Sequence, residues 1–415
     1  MRYVNLFFYL VLIIPYITIR AGQWYPQNSG VGNSLMSVYF LDELNGWAVG
    51  SFGAIVHTTN GGESWSQQSS GINKDLYCVF FIDTSLGFTV GDQGTILKTT
   101  DGGINWFPQI STTVYNLASV CFANDSTGWT VGDNGTILKT TNGGSVWFNQ
   151  NSPFSGIIGD VDFVDSQYGW AAAYESGAIE TTIIKTTDGG DNWNIITLPA
   201  LIPWPVLSVD FIDRNIGWTV GYLENIFRSM DGGNTWIEQQ GFSSTPESFY
   251  SVSFADENNG WTVGYGGVIG HTSNGGSNWY AESSGTTNVL WDVFFVNPTT
   301  GWIVGDNGLI LKYTNPVSVE NNKSGSAPNQ FILEQNYPNP FNPSTTIQYS
   351  IPESGNVKLM VYNSLGEEVK VLKDEFEKAG TYKINFDAAE LASGIYYYQI
   401  LSGSFTSTKK MILIK

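Results

Sequence analysis

The sequence predicts an all-β protein: a seven-bladed β-propeller closed by its N-terminal strand, followed by a small Ig-like β-sandwich. Three observations carry this expectation. A four-strand unit recurs roughly every 41 residues, its last copy stops short while a matching strand lies near the N-terminus, and the final hundred residues change in composition.

Each unit opens on a strand-like "SVxFxD", continues through "GWxVG" and "GTILKTT", and closes on a box such as KTTDGGINW, Lys98 to Trp106. The Phe of the first strand occurs at Phe40, Phe81, Phe122, Phe163, Phe211, Phe254 and Phe295. The Gly opening the second strand occurs at Gly46, Gly87, Gly128, Gly169, Gly217, Gly260 and Gly301, at intervals of 41, 41, 41, 48, 43 and 41 residues. A period near 40 with four short strands is the mark of propeller blades, and no stretch of the array has apolar residues at helical spacing. Within the box, the hydroxyl and the Asp or Asn accept backbone N–H groups inside a tight turn. The glycines permit positive φ, and the Trp plugs the sheet edge.

The seventh unit ends at "LKYTN", Leu311 to Asn315, with no box and no Trp. Its missing strand matches "QWYPQNSG", Gln23 to Gly30, so Trp24 stands in for the seventh box Trp and is expected to pack as deeply as the others. Closure of this kind leaves no open pairing edge.

The box resembles the Asp-box, or BNR repeat, of sialidases and related propellers, and the fuller unit is similar to the photosystem II assembly factor family of propellers. After a patternless polar stretch at 316–329, three motifs follow in order: "EQNYPNPFNP" (Glu334 to Pro343), "ASGIYYYQI" and the terminal "KKMILIK". They resemble the type A C-terminal sorting domain of type IX secretion cargo. That resemblance implies the type IX machinery as a partner, passage through the periplasm, and export across the outer membrane to the cell surface or medium. Arg2, the apolar run Val4 to Ile19 and the small Ala21 fit a cleaved signal peptide. The expected organisation is a signal peptide at 1–21, a propeller at 22–315, a linker at 316–329 and a sorting sandwich at 330–415.

Charge excludes some partners. Residues 22–315 hold 27 acids against 7 Lys and Arg, a balance that repels nucleic acid and anionic lipid. Sialidases grip a carboxylate with three arginines, and here only Arg214 and Arg228 follow the leader. The arginine-rich patch associated with binding in the photosystem family is missing too. His57 and His271 occupy a slot held elsewhere by Lys98, Lys139, Lys185, Arg228 and Lys312, so they are read as scaffold, and no metal or cofactor is expected. Cys78 and Cys121 fall in slots that keep them apart, and are expected to stay unpaired.

Of 15 tryptophans, only Trp204 and Trp291 lie outside the repeat slots. Trp291 shares a column with Met36, Tyr77, Ala118, Gly159, Leu207 and Tyr250, while Tyr174, Glu175, Tyr222 and Tyr265 fall in the turns after second strands. Aromatics on that inter-blade face suit stacking on a sugar or clamping an apolar side chain, so Trp204, Trp291, Tyr250, Tyr174, Glu175, Tyr222 and Tyr265 are the candidate ligand-binding residues. The favoured reading is a non-enzymatic exported propeller that binds a protein or glycan there. The alternative is an Asp-box glycoside hydrolase or lyase using the channel carboxylates Asp160, Asp162, Asp210 and Asp292.

Overall fold

A computed structural model describes residues 23–175, 182–199, 204–242, 247–314, 331–336, 339, 341–403 and 405–413. The expected leader at 1–21 and linker at 316–329 lie outside the described residues. The chain divides into two compact units, 1–317 and 318–415. No helix among the described residues is long and apolar enough to cross a membrane.

The first unit has the all-β architecture of a propeller. Its first repeat forms an antiparallel sheet of β2 (Leu35–Phe40), β3 (Gly46–Gly50), β4 (Ala54–Thr58) and β5 (Ser66–Ser69), hydrogen-bonded in chain order. Seven such four-stranded sheets are present among the described residues. The seventh takes Leu290–Asn297, Thr300–Gly305 and Leu309–Thr314 from the end of the unit, and its fourth strand is β1 (Gln23–Asn28). Gln23 lies opposite Thr314 and Asn28 opposite Leu309.

Burial explains the strand order. Every residue of β3 is buried, β2 is buried at most positions, and β5 is mostly exposed. The second strand is therefore covered on both faces by neighbouring sheets, and the core lies between sheets. Phe40 is its unit of packing: it stacks on Trp302 of the seventh sheet with ring centroids 3.4 Å apart, and meets its own box Trp65 edge-on at 5.8 Å. Phe81, Phe163, Phe211, Phe254 and Phe295 repeat the stack on Trp47, Trp129, Trp170, Trp218 and Trp261. Glycine opens the second strand because the Phe ring lies against it; a Cβ at Gly46 would stand 2.3 Å from Phe40 Cε1.

The box folds as its chemistry dictates. Thr99 Oγ1 accepts the Gly103 N–H at 2.8 Å, and Asp101 Oδ1 accepts the Asn105 N–H at 2.9 Å. Gly102 and Gly103 adopt φ of +72° and +89°, which L-residues with side chains rarely tolerate. The turn then faces the preceding sheet, where Trp47 Nε1 donates to the Gly102 carbonyl at 3.1 Å. Trp129, Trp170, Trp218 and Trp302 make the same bond to Gly189, Gly232, Gly275 and Gly61. His57 and His271 lie flat on Trp47 and Trp261, both with centroids 4.5 Å away, where Lys139, Arg228 and Lys312 elsewhere lie over an indole. Both cysteines are free.

Trp24 meets Phe295 edge-on at 5.8 Å and 89°, the geometry of a box Trp. Its Nε1 donates to Glu282 Oε2 at 2.8 Å on the sixth sheet, and Gln27 Oε1 accepts from Trp65 Nε1 of the first at 3.1 Å. The expected depth needs correction. Trp24 is only half-buried, as is the box Trp65, whereas Trp106, Trp147, Trp193, Trp236 and Trp279 are buried.

The second unit packs two antiparallel sheets around one apolar core that includes Ile347, Tyr349, Leu359, Val361, Phe386, Tyr398 and Met411. One sheet has strands Ile332–Leu333, Ser344–Ile351 and Gly380–Asp387; the other has Glu368–Glu377, Gly355–Asn363, Gly394–Ser402 and Phe405–Leu413. The three C-terminal motifs meet here. Tyr398 Oη donates to the Glu334 carbonyl and accepts the Asn336 N–H, both at 2.7 Å. Phe341 N–H donates to the Ile412 carbonyl at 2.9 Å, and Asn339 Oδ1 accepts the Ile412 N–H at 2.8 Å.

Trp24→Ala should destabilise the first unit by about 3 kcal/mol, the low end for deleting a large aromatic because this ring is half-exposed. Trp24→Phe keeps the edge contact and loses only the bond to Glu282, about 1 kcal/mol. Chemical denaturation of the two variants against the parent checks the order and the gap.

Candidate functional site

A defect shared by all seven inner strands builds the site. In β2 the pairing register slips between Leu35 and Ser37, leaving Met36 as a bulged residue. The same slip occurs at Tyr77, Ala118, Gly159, Leu207, Tyr250 and Trp291. A bulge re-aims its side chain, and these seven residues line a cavity of 130 Å³ at one end of the channel. The wall below them is formed by the next residue of each strand: Ser37, Cys78, Ser119, Asp160, Ser208, Ser251 and Asp292.

That second column binds each sheet to the next. Ser37 Oγ accepts the Val79 N–H at 3.2 Å, Cys78 Sγ the Val120 N–H at 3.4 Å, and Ser119 Oγ the Val161 N–H at 3.4 Å. Asp160 Oδ2 accepts the Val209 N–H at 3.0 Å. Ser208 and Ser251 accept from Val252 and Val293, both at 3.3 Å. Asp292 Oδ2 accepts the Val38 N–H at 2.9 Å, so the seventh sheet bonds to the first. Ser, Cys and Asp share one property here, an acceptor on a short stem.

Both Asp of this column accept from neutral donors, four for Asp160 and three for Asp292. Asp160 Oδ1 accepts from Ser119 Oγ and the Val161 N–H, and Oδ2 from Ser208 Oγ and the Val209 N–H. Asp292 Oδ1 accepts from Ser251 Oγ and its neighbour's N–H at Val293. Burial nevertheless raises both carboxyls, Asp292 to about 6. One turn of side chains deeper, Asp162 and Asp210 accept the N–H groups of Phe211 and Phe254 at 2.8 and 2.5 Å. Burial lifts Asp162 to about 7 and Asp210 well above the ordinary carboxyl range. This layer also holds Tyr39, whose ring meets Phe80 and Phe294, each at 4.8 Å. Burial puts the Tyr39 phenol up to about 12.

Of the expected binding residues, the structure gathers several. Tyr250 and Trp291 stack with centroids 5.0 Å apart, and Tyr222 meets Tyr250 edge-on at 6.5 Å. Burial, then the nearby Tyr222, Tyr265 and Asp306, hold the Tyr250 phenol above its usual value. The Tyr174 ring covers Gly159, and burial raises it to about 12. Tyr265 is 56 % exposed at the turn after its second strand. Glu175 is exposed and accepts from Ser155 Oγ at 3.2 Å. Trp204 is exposed and does not line the cavity; its carbonyl accepts from Asn225 Nδ2.

Asp92 and Asp306 sit in the turns after second strands, and each also holds a mouth aromatic: Tyr77 Oη donates to Asp92 Oδ1 at 2.5 Å, and Trp291 Nε1 to Asp306 Oδ1 at 2.8 Å. The signal available was the spacing of 15 residues between ring and carboxylate in both repeats.

Residues 67–151 and 197–283 match the photosynthesis system II assembly factor YCF48 family, and residues 335–415 match the secretion system C-terminal sorting domain. The chain is an Asp-box repeat propeller with a secretion sorting tail. Among solved structures, the propeller is similar to YCF48 bound to a D1 peptide, at 18 % identity and a TM-score of 0.60 over 71 % of this chain and 94 % of that one. It is similar to YCF48 from Cyanidioschyzon merolae at 20 % identity and a TM-score of 0.59, over 71 % and 99 % of the two chains. PorZ, described as an essential bacterial surface component of the type IX secretion system of Porphyromonas gingivalis, matches at 13 % identity and a TM-score of 0.53, over 94 % of this chain and 60 % of that one. These likenesses establish fold. No curated protein matches the sequence. The sorting tail implies engagement with the type IX machinery and export to the surface or beyond. The Asp-box propeller itself places six of its seven Lys and Arg away from the mouth: Lys98, Lys139, Arg228 and Lys312 over rings, Lys185 on Asn234 and Arg214 on Asp165.

The buried Asp162 supplies a pH test. Its carboxyl is raised above the unfolded value, so the fold loses stability as pH rises from the unfolded pKa through about 7. Asp162→Asn keeps an acceptor for the Phe211 N–H and cannot ionise. Its advantage over the parent should widen by on the order of 2 kcal/mol between pH 5 and pH 8, read from paired denaturation curves.

Proposed function

We propose that this chain is an exported, non-enzymatic seven-bladed β-propeller that binds a protein or glycan through the face bearing the channel mouth. In this reading β1 closes the ring as the outer strand of blade seven, supported by its pairing with Leu309–Thr314 and by the bonds of Trp24 and Gln27 to the sheets on either side. Residues 1–21 are a signal peptide, 22–315 the propeller, 316–329 a linker and 330–415 an Ig-like sandwich that directs export by the type IX route, through the periplasm and across the outer membrane.

One observation carries the choice of binding over hydrolysis. The oxygens of Asp160 and Asp292 are taken up by hydroxyl and amide donors. A general acid or nucleophile needs a lone pair or proton directed at substrate. Asp162 and Asp210 lie a layer deeper, beneath that bonded column. The stacked Tyr250 and Trp291, by contrast, border the cavity. Solved YCF48 with a D1 peptide is a propeller of this kind holding a peptide, which supports a protein partner here.

The test is capture of partners from the surface fraction of the source cells by the mature chain, paired with a glycan array. Tyr250→Ala with Trp291→Ala should abolish capture, while Lys139→Ala at the box end should leave it intact. Capture unaffected by the double variant, or release of reducing sugar by the parent, would refute the reading.

A further inference from the structure

The channel mouth is small, lined by the aromatics Tyr77, Tyr250 and Trp291 and negative around its base. Its 130 Å³ is near the roughly 150 Å³ of a cavity that admits one benzene ring, so it takes a single side chain and not a run of sugar rings. Tyr250 and Trp291 form the aromatic arc, stacked on each other with Trp291 fixed by Asp306. Met36 and Leu207 add apolar wall.

The base carries charge on acceptors that are already engaged. Asp160 and Asp292 line the cavity, and every one of their oxygens accepts from at least one neutral donor. They are poorly placed to receive sugar hydroxyls, which need open lone pairs. Their field still acts through the low-dielectric wall and attracts a cation without a direct bond. Asp92 and Asp306 on the rim add to it. Among the described residues no Lys, Arg or His lines the cavity. A ligand that complements this field is positively charged, and one that complements the arc has an apolar stem or a flat cationic head to lay on indole.

We propose that the channel mouth captures one lysine or arginine side chain of a protein partner, its stem against Trp291 and Tyr250 and its charge toward Asp160 and Asp292. The inference rests on the loop face being the binding face and names the chemistry that face selects.

The full mature chain is titrated with acetylated, amidated Gly-Gly-X-Gly-Gly peptides, X being Lys, Arg, norleucine or Glu, and with maltohexaose, by ligand-observed NMR. The Lys or Arg peptide should bind about tenfold more tightly than norleucine, with Glu and maltohexaose silent and the signal weakened by salt. Ala118→Lys, which brings an ammonium into the mouth from the chain itself, should abolish binding. Trp291→Phe, a milder change, should weaken it several-fold. Equal binding of norleucine, no binding by any cationic peptide, or unchanged binding in Ala118→Lys would overturn the proposal. If maltohexaose binds and Trp291→Phe weakens it, the face survives as a glycan site and the cationic pocket falls. If cationic peptides bind but respond to neither mouth variant, the face itself is wrong.

Discussion

A backbone N–H of each inner strand points out of its own sheet and is accepted by a short side chain of the sheet before it. Val79 gives its proton to Ser37, Val209 to Asp160, and Val38 to Asp292. This bond exists because the inner strand pairs on one side only, so alternate amides face away from its sheet, and a buried amide left unpaired costs about 1–3 kcal/mol. The acceptor column meets that need once per sheet and ties each sheet to the next. The stacked Phe and Trp layer behind it, with centroids near 3.5 Å, joins the same sheets.

The bulge just before each acceptor connects scaffold to function. It turns Met36, Tyr77, Leu207, Tyr250 and Trp291 toward the cavity, so a column that differs from repeat to repeat stands on strands tied sheet to sheet. Exchanging Ser for Asp in the acceptor column preserves the inter-sheet bond and adds a charge. Asp160 and Asp292 bring extra serine hydroxyls onto themselves, from Ser119, Ser208 and Ser251. The chain thus places negative potential at the mouth without changing how its sheets are joined.

Much of this was legible in the sequence. The repeat period named the sheets, the box residues named their own hydrogen bonds, and the truncated seventh unit pointed to Gln23–Asn28 as its partner strand. The depth of Trp24 was not legible, because the box slot itself does not fix burial: Trp65 is half-buried and Trp147 is buried in the same slot. The missing box leaves a trace: Trp261 Nε1, whose counterparts donate to a box glycine of the next sheet, has no acceptor among the described residues. The bulges were also hidden. The column of Tyr250 and Trp291 was visible, but a register slip has no residue signature beyond the acceptor that follows it. Asp160 could therefore be placed on an inner strand, and its saturation by serines of two neighbouring sheets could not.

Residue-resolved hydrogen exchange of the mature chain at neutral pH addresses the acceptor series most directly. The account predicts that the amides of Val38, Val79, Val120, Val161, Val209, Val252 and Val293 are protected to a similar degree, the bond between the seventh and first sheets included. Rapid exchange at Val38 with protection at the other six would contradict it, because the series would then be open between the seventh and first sheets.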